Sequence, residues 1–245
     1  MRLIDATLPT VDENLALDEA LLNESRENVL RFWEPDRPAV VLGRSSDFDK
    51  ELSPQAHQRD TSIHRRVSGG ASIVTGPGCL MYALALNTAD RPELGSVDRI
   101  HSSILDRMIS ALKVCDKSIQ RAGTSDMAFV SEQDARLLKF SGNSLRLTKS
   151  RVLYHGTLLH DFDLRLIERL LSMPPREPGY RASRAHREFV GNLGSDADQL
   201  KHQIAKAWSA ESMLDHTLFA DAVSELVSKK YSYSVWIQAR RVHAP

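Results

Sequence analysis

Apolar residues recur along this chain at two spacings, and each predicts a different element. The run Asp12-Glu-Asn-Leu-Ala-Leu-Asp-Glu-Ala-Leu-Leu22 reads as a first helix, with acidic residues in its opening turns where the helix dipole favours them. A second helix is capped by Ser96 and carries Val97, Ile100, Ile104, Leu105, Met108, Ile109 and Leu112 on one face. Residues 162–171 read as a third helix, and two more finish the chain. The last of these places Leu214, Leu218, Phe219, Ala222, Val223, Leu226 and Val227 on one face. Between the helices lie short β-type runs at 29–33 and 38–42, then 62–67, 71–74 and 80–86, punctuated by Gly69-Gly70 and Gly76-Pro77-Gly78. Further strands are expected at 127–130, 137–140, 144–147 and 152–159, with Ser141-Gly142-Asn143 as a turn and Pro174–Pro178 as a loop. Several strands mixed with scattered helices predict one α+β domain over 1–245 rather than a doubly wound parallel sheet.

Composition narrows the function classes. Of 245 residues, 32 are basic and 32 acidic, so a dedicated nucleic-acid binder, which needs a basic excess, is not expected. The run Leu80–Leu86 is far too short to span a bilayer, and the amino terminus shows no signal-peptide pattern, so a cytoplasmic protein without membrane attachment is expected. Two cysteines, Cys79 and Cys115, cannot build a disulfide framework or a thiolate metal cage. His155 and His160 are outside the usual zinc spacing. A Walker loop, a dinucleotide fingerprint and a Gly-x-Ser-x-Gly elbow are all absent.

Two segments carry chemistry. In His64-Arg-Arg-Val-Ser-Gly-Gly-Ala71, two arginines precede a Ser-Gly-Gly turn. Glycines let backbone N–H groups approach an anion, and arginine adds bidentate charge for a phosphate or carboxylate; a plain hairpin with solvated arginines fits the same residues. In Leu138-Lys-Phe-Ser-Gly-Asn143, Lys139 sits in an apolar strand context beside a small polar turn. There it can neutralise a developing charge, or simply guard a sheet edge.

Taken together, Arg65-Arg-x-Ser-Gly-Gly70, then Lys139-x-Ser-Gly-Asn143, then His155-Gly-Thr-Leu-Leu159 resembles the lipoate–protein ligase A family and its octanoyltransferase relatives. Asn14–Leu22, Pro38-Ala-Val-Val-Leu-Gly-Arg44, Gly123-Thr-Ser-Asp126 and Tyr180–His186 match in order, so the likeness runs from about Asn14 to Leu193. The resemblance implies the catalytic fold of biotin protein ligases and class II aminoacyl-tRNA synthetases, a mixed sheet flanked by helices. It implies a ligase that activates lipoate or octanoate with Mg-ATP to an acyl-adenylate. The acyl group would then pass to a lysine of a lipoyl domain or of glycine-cleavage H protein.

The resemblance also assigns residues. Lys139 would be the catalytic lysine. Arg65, Ser68, Gly69, Gly70 and Ala71 would line the phosphate and acyl-carboxyl region, and Ser141, Gly142 and Asn143 would lie beside the adenylate. His155, Gly156 and Thr157 would wall the acyl tunnel, and Asp126 would be the magnesium ligand. Strand alternation suggests that Val40, Leu42, Val74 and Leu158 lead the chain inward. Departures are Ala71 for a third glycine, Thr75-Gly76 for His-Asp, and Gly78-Cys79 for Gly-Asn; they bear on nucleotide contacts more than on acyl binding.

About fifty residues after Leu193 leave no room for the accessory C-terminal domain of longer ligases, so a separate partner protein is a possible requirement. Two other readings stay open. One is an ATP-independent octanoyl or lipoyl transferase, for which Cys79 would be the nucleophile. The other is a degenerate acyl-binding protein without catalysis. A biotin ligase is disfavoured because its Gly-Arg-Gly-Arg-x-Gly loop is absent.

Overall fold

The computed structural model describes residues 1–57, 61–89, 91–174 and 177–239. The first strand, β1 (Arg2–Asp5), leads into α1 (Val11–Glu24), which opens on a capping box: Thr10 accepts from the Glu13 N–H while the Glu13 carboxylate accepts from the Thr10 N–H. Strands β2 (Val29–Trp33) and β3 (Ala39–Leu42) follow, then α2 (Phe48–Glu51), β4 (Ser62–Arg65), β5 (Ile73–Thr75) and β6 (Cys79–Asn87). Helix α3 (Val97–Leu112) starts at Ser96, whose hydroxyl accepts from the Arg99 N–H, and buries the predicted face apart from Val97. After it come β7 (Gln120–Ala122), β8 (Asp126–Val130), β9 (Leu137–Leu147) and β10 (Arg151–Leu159). The chain finishes through α4 (Arg165–Leu170), α5 (His186–Phe189), α6 (Ala197–Ala207), β11 (Ser212–Met213), α7 (Ala220–Leu226) and α8 (Ser234–Ile237).

The main sheet has eight strands in the order β11-β1-β2-β6-β10-β9-β8-β7. The β11–β1 and β1–β2 pairs are parallel and the others antiparallel, so the sheet is mixed. A smaller sheet, β4-β3-β5, pairs β3 parallel with β4 and antiparallel with β5. Successive residues of β10 show which helix covers which face. Tyr154 meets His101 of α3, whereas His155 meets Asp18 of α1. One continuous apolar cluster joins both faces and the small sheet. Among the described residues no helix is long and apolar enough to cross a membrane.

Several expectations are corrected. The strands expected at 137–140 and 144–147 are one continuous strand, β9, so Ser141-Gly142-Asn143 is not a turn. Asn143 accepts from Tyr82 across the sheet and donates to Ser125 O and to Ser141 on its own strand. Strands β1, β7 and β11 carry too few residues to show a period. The helix expected over 162–171 is confined to Arg165–Leu170. The last amphipathic stretch is a 3-10 turn (His216–Phe219), α7 and a π-helical turn (Val227–Tyr231), which widens the helix before α8. Pro175 and Arg176 of the expected loop lie outside the described residues.

One buried feature runs against the apolar grain. Strand β2 is buried along its whole length, and its central residue is Arg31. In register, Arg31 lies opposite Ala83 of β6, which lies opposite His155 of β10. The small Ala83 leaves a gap under α1 in this row, and Asp18 reaches down into it. Asp18 bonds Arg31 Nη1 at 2.6 Å and faces His155 Nδ1 at 3.4 Å. Asn14, one turn earlier on the helix, accepts from Arg31 through its side-chain oxygen (2.5 Å) and its carbonyl (2.8 Å).

Breaking this pair from one side leaves a buried charge uncompensated, which destabilises far more than removing both charges together. Asp18→Ala is therefore expected to lower unfolding free energy by about 3–5 kcal/mol in urea titrations. Adding Arg31→Met should recover most of that loss; a double variant as unstable as the single one would show that the charge pairing is not the source.

Candidate functional site

A two-lobed cleft opens between the two sheets, with Lys139 at the junction of the lobes. Its position depends on an irregularity in β9. Gly142 lies opposite Asp126 and Ser141 opposite Met127, but Ala128 is opposite Lys139, so β9 carries one extra residue there. Without that bulge, Lys139 and Gly142, three apart, would face opposite sides of the sheet. With it they share a face. Lys139 Nζ then meets Asp126 Oδ1 at 2.8 Å, and the other Asp126 oxygen accepts from the Tyr180 hydroxyl at 2.8 Å. Burial, and after it the facing carboxylate, pushes the Tyr180 phenol well above its ordinary range, so it stays a donor. Gly142 leaves room for the ammonium group in this position: a Cβ there would lie 2.9 Å from Lys139 Nζ and displace that side-chain end.

The neighbouring row is fixed by a second glycine. Gly156 lies between Tyr82 of β6 and Asn143 of β9. With no side chain there, the Tyr82 hydroxyl crosses the row and donates to Asn143 Oδ1. The Asn143 amide also donates to Ser125 O at 2.8 Å and to Ser141 Oγ at 3.1 Å. A Cβ on Gly156 would sit 1.9 Å from Asn143 Oδ1. Thr157 Oγ1 accepts from the Gly142 N–H at 3.3 Å, tying β10 to the lysine strand.

The glycine turn forms the opposite wall. Arg66, not Arg65, faces the cleft. Adjacent strand residues point to opposite faces, so only one arginine of the pair can do so. Arg66 donates to Gly69 O (2.6 Å), Ala71 O (2.9 Å) and Ser68 Oγ (3.1 Å), and burial pulls its guanidinium down to about 10. Arg65, expected at the phosphate, turns away and is fully buried. Its guanidinium donates to Gly43 O, Arg44 O and Ser46 O on one side and to Ile237 O and Ala239 O on the other. Its placement is that of a structural clamp. Gly70 has a positive φ of 82° and packs on Gly43, where a Cβ would lie 1.9 Å from Gly70 O. The buried Glu51 carboxylate accepts from the Ser72 N–H (2.9 Å) and Ser72 Oγ (2.7 Å), so Ala71 and the start of β5 are held in place.

His155 connects the turn to the helix. Its Nε2 lies 2.5 Å from Ser68 Oγ. With Nδ1 directed at Asp18, Nε2 is the acceptor and the Ser68 hydroxyl donates. His155, Gly156 and Thr157 all line the second lobe, together with Gly70, Ala71, Gly142 and Asn143. Ser68, Gly69 and Ser141 are not in that lining, although Ser141 lines the first lobe.

The expected apolar lead-in is out of phase. Val41, not Val40 or Leu42, lines the second lobe; Leu159 lines the first, whereas Leu158 lines neither; Val74 lines the first. The first lobe is walled by Ile73, Val74, Phe140, Leu159, Leu171 and Val190. Residues that the sequence reading did not single out are Arg66, Asp18, Tyr82 and Glu51. Tyr180 was quoted only as part of a matching segment. Their signal lay in strand parity and in contacts between distant segments.

Among the described residues no three His, Cys, Asp or Glu side chains gather as a metal site. Asp126 offers hard oxygens at the junction, already shared with Lys139 and Tyr180. That donor set fits a magnesium ion arriving on phosphate oxygens, not a resident ion held by protein alone. Cys79 is fully buried, and burial pushes its thiol up to about 12. The other cysteine, Cys115, follows α3 and is half-buried. Neither lines the cleft.

The model of the lipoyl protein ligase A/B catalytic domain matches residues 10–216. An archaeal bi-partite lipoate protein ligase from Thermoplasma acidophilum, described with its E2 lipoyl domain, has a TM-score of 0.83 at 19% identity, covering 99% of this chain and 98% of that one. A lipoate-protein ligase A bound with ATP has a TM-score of 0.80 at 18% identity, covering 98% of each chain. LipL1 from P. falciparum, in complex with lipoate, has 0.74 at 15%, covering 100% of this chain and 75% of that one. These likenesses establish a shared fold.

Two outcomes test the geometry. Gly156→Ala is expected to destabilise by about 1–3 kcal/mol through overpacking, whereas Gly69→Ala, with nothing within 4 Å of its Cβ, should stay within about 0.5 kcal/mol; thermal melts of both check this. A thiol reagent at pH 8 should titrate one cysteine in the native protein, Cys115, and both in denaturant. With its pKa raised by burial, the Cys79 thiol stays protonated until far above that pH.

Proposed function

This chain belongs to the lipoyl protein ligase A/B catalytic-domain family, and from that premise we propose that it activates lipoate or octanoate with ATP and transfers the acyl group to a lysine of a lipoyl domain. The observation that carries the reading is Lys139 at the junction of two lobes, paired with Asp126. A carboxylate and an α-phosphate that meet there would both lie within reach of one ammonium group. The second lobe, walled by His155, Gly156, Thr157 and Met81, would hold the acyl chain. The first lobe, a mostly apolar slot behind Ile73 and Val74, would take the adenine.

In the first step a carboxylate oxygen attacks the α-phosphorus and the bond to the β-phosphate oxygen breaks, releasing pyrophosphate. Lys139 neutralises charge gathering on the acyl and phosphate oxygens. Asp126 holds that ammonium in place, and Tyr180 holds Asp126. Magnesium, arriving with the nucleotide, would supply charge neutralisation on the phosphates beside Asp126. In the second step the neutral acceptor amine attacks the acyl carbonyl, the bond to AMP breaks, and the amine loses its proton. Glycine-cleavage H protein is a second acceptor compatible with the same chemistry, and an accessory protein and a cytoplasmic setting belong to the same reading.

A cysteine-based transferase finds less support. It needs a thiolate at the cleft, and Cys79 is buried and held protonated. A binder without catalysis could use Lys139 for the acid's carboxylate but has less use for a second lobe meeting the first at that lysine.

Lipoate-dependent exchange of labelled pyrophosphate into ATP tests the reading without the acceptor. Exchange is expected in the native protein and should fall by about 10²–10³ in Lys139→Ala, the usual effect of losing one electrostatic stabiliser. Undiminished exchange in the variant would remove Lys139 from the chemistry. Absence of exchange with both lipoate and octanoate in folded protein would count against an independent ligase.

A further inference from the structure

Resting on the ligase reading, we infer that Arg44 and Arg146 form a docking contact for acidic side chains on the protein that receives the acyl group. Both arginines line a shallow hollow together with Ser45, Val67, Gly69 and Leu147. The hollow lies directly behind the turn that walls the cleft. Gly69 lines the hollow, its neighbour Gly70 lines the second lobe, and Ser144 of β9 donates to Gly69 O at 2.8 Å. Ser144 lies opposite His155 and Arg146 opposite Leu153, two residues along each strand, so Arg146 shares the cleft face of the sheet. The Arg44 N–H donates to Ser68 O at 2.8 Å, and the Arg44 carbonyl accepts from Arg65. The backbone that carries this second arginine is thus fixed to the same turn.

Among the described residues neither guanidinium forms a hydrogen bond or an ion pair. Burial and, after it, the facing Arg146 pull the Arg44 guanidinium below its ordinary value. Glu19 pulls the other way, but its carboxylate is already held by Lys230 and Tyr231. Like charges placed together repel, and an arriving anion relieves that repulsion. With 32 basic and 32 acidic residues in the chain, the pair is a local excess and not part of a general one. Planar, weakly hydrated guanidinium groups suit carboxylates at a protein interface. Distance then selects the partner. Lys139 Nζ lies beside Gly142, and Gly142 to Arg146 is four residues of strand, about 13 Å. A standard interface of about 800 Å² per partner is a disc roughly 16 Å in radius. A protein that brings a lysine to the junction therefore covers Arg146 at the rim, where charge steers encounter and sets orientation. Exposed Leu147 beside it offers apolar contact. The acceptor that fits carries Asp or Glu side chains about 10–15 Å from its target lysine.

The test separates activation from docking in the full chain. Lipoate-dependent pyrophosphate exchange reads activation. Single-turnover transfer from the preformed acyl-adenylate, either to an apo lipoyl domain or to acetyl-lysine amide, reads the second step with and without a protein surface. Arg44→Glu/Arg146→Glu should slow transfer to the domain by about ten- to a hundredfold, leaving exchange and transfer to the small amine unchanged. Arg146→Glu alone, near the end of β9, should move the same way and serves if the double variant does not fold. Native transfer to the domain should weaken as salt rises, and the reversed variant should lose that dependence. Domain variants with Asp or Glu around the lysine changed to Lys should be slow with native protein and recover with the reversed one. Reversed protein that acylates the domain at the native rate, or that loses exchange and small-amine transfer equally, would overturn the docking contact while leaving the ligase reading intact. A changed oligomeric state with unaltered transfer would give the hollow to a second copy and overturn it too. Native protein without exchange, and without transfer to either amine, would remove the ligase reading and this inference with it.

Discussion

Everything at the centre of this molecule depends on a lysine and an aspartate meeting on one face of the sheet. Lys139 and Asp126 come together at 2.8 Å because β9 carries an extra residue beside the lysine, and Gly142 leaves the space beside the ammonium group open. The bulge changes the parity of the strand, and the glycine makes room for the ammonium group. Asn143, held by Tyr82 across Gly156, then fixes the strand on the far side of the lysine. The result is a charged group positioned by backbone irregularity and by two missing methyls, in a region that is otherwise tightly packed.

The same economy governs the arginines. Arg31, Arg65, Arg66, Arg151 and Arg181 are all buried, and the first three, around the cleft and α1, each have a distinct set of partners. Arg31 has a carboxylate. Arg65 has only carbonyls, collected from two distant segments. Arg66 braces the glycine turn and faces the cleft. A guanidinium offers five donors in a rigid plane, so it can organise several backbone oxygens at once without a counter-charge on every side. Such clamps make the walls of the cleft stiff, which suits a site in which two substrates must be held in line.

Much of this was legible in the sequence. The long helices at Val11–Glu24 and Val97–Leu112 announced themselves by period and caps, and most strands by their apolar runs. The two chemical segments, around Ser68 and around Lys139, do converge on one cleft. What stayed hidden was parity. Nothing in Arg65-Arg66 says which arginine faces inward, and nothing in Val40-Val41-Leu42 says which side chain lines a lobe. A bulge shows up in sequence only as a polar, glycine-containing stretch, and Ser141-Gly142-Asn143 reads equally well as a turn. Asp18 looked like one more acidic residue of an N-terminal helix; its partner, Arg31, lies on a strand that reads as simply apolar.

The Arg65 clamp also bears on the order in which the site can be completed. Its guanidinium faces the 43–46 loop on one side and the carbonyls of Ile237 and Ala239 on the other. The loop in turn presses Gly43 against Gly70, in the turn that walls the cleft. During synthesis, Arg65 emerges more than a hundred residues before the backbone that satisfies it. Until that late segment is made, a cation behind the substrate turn has two of its five acceptors missing. Final closure of the cleft wall is thus coupled to a segment made more than a hundred residues after the turn it supports.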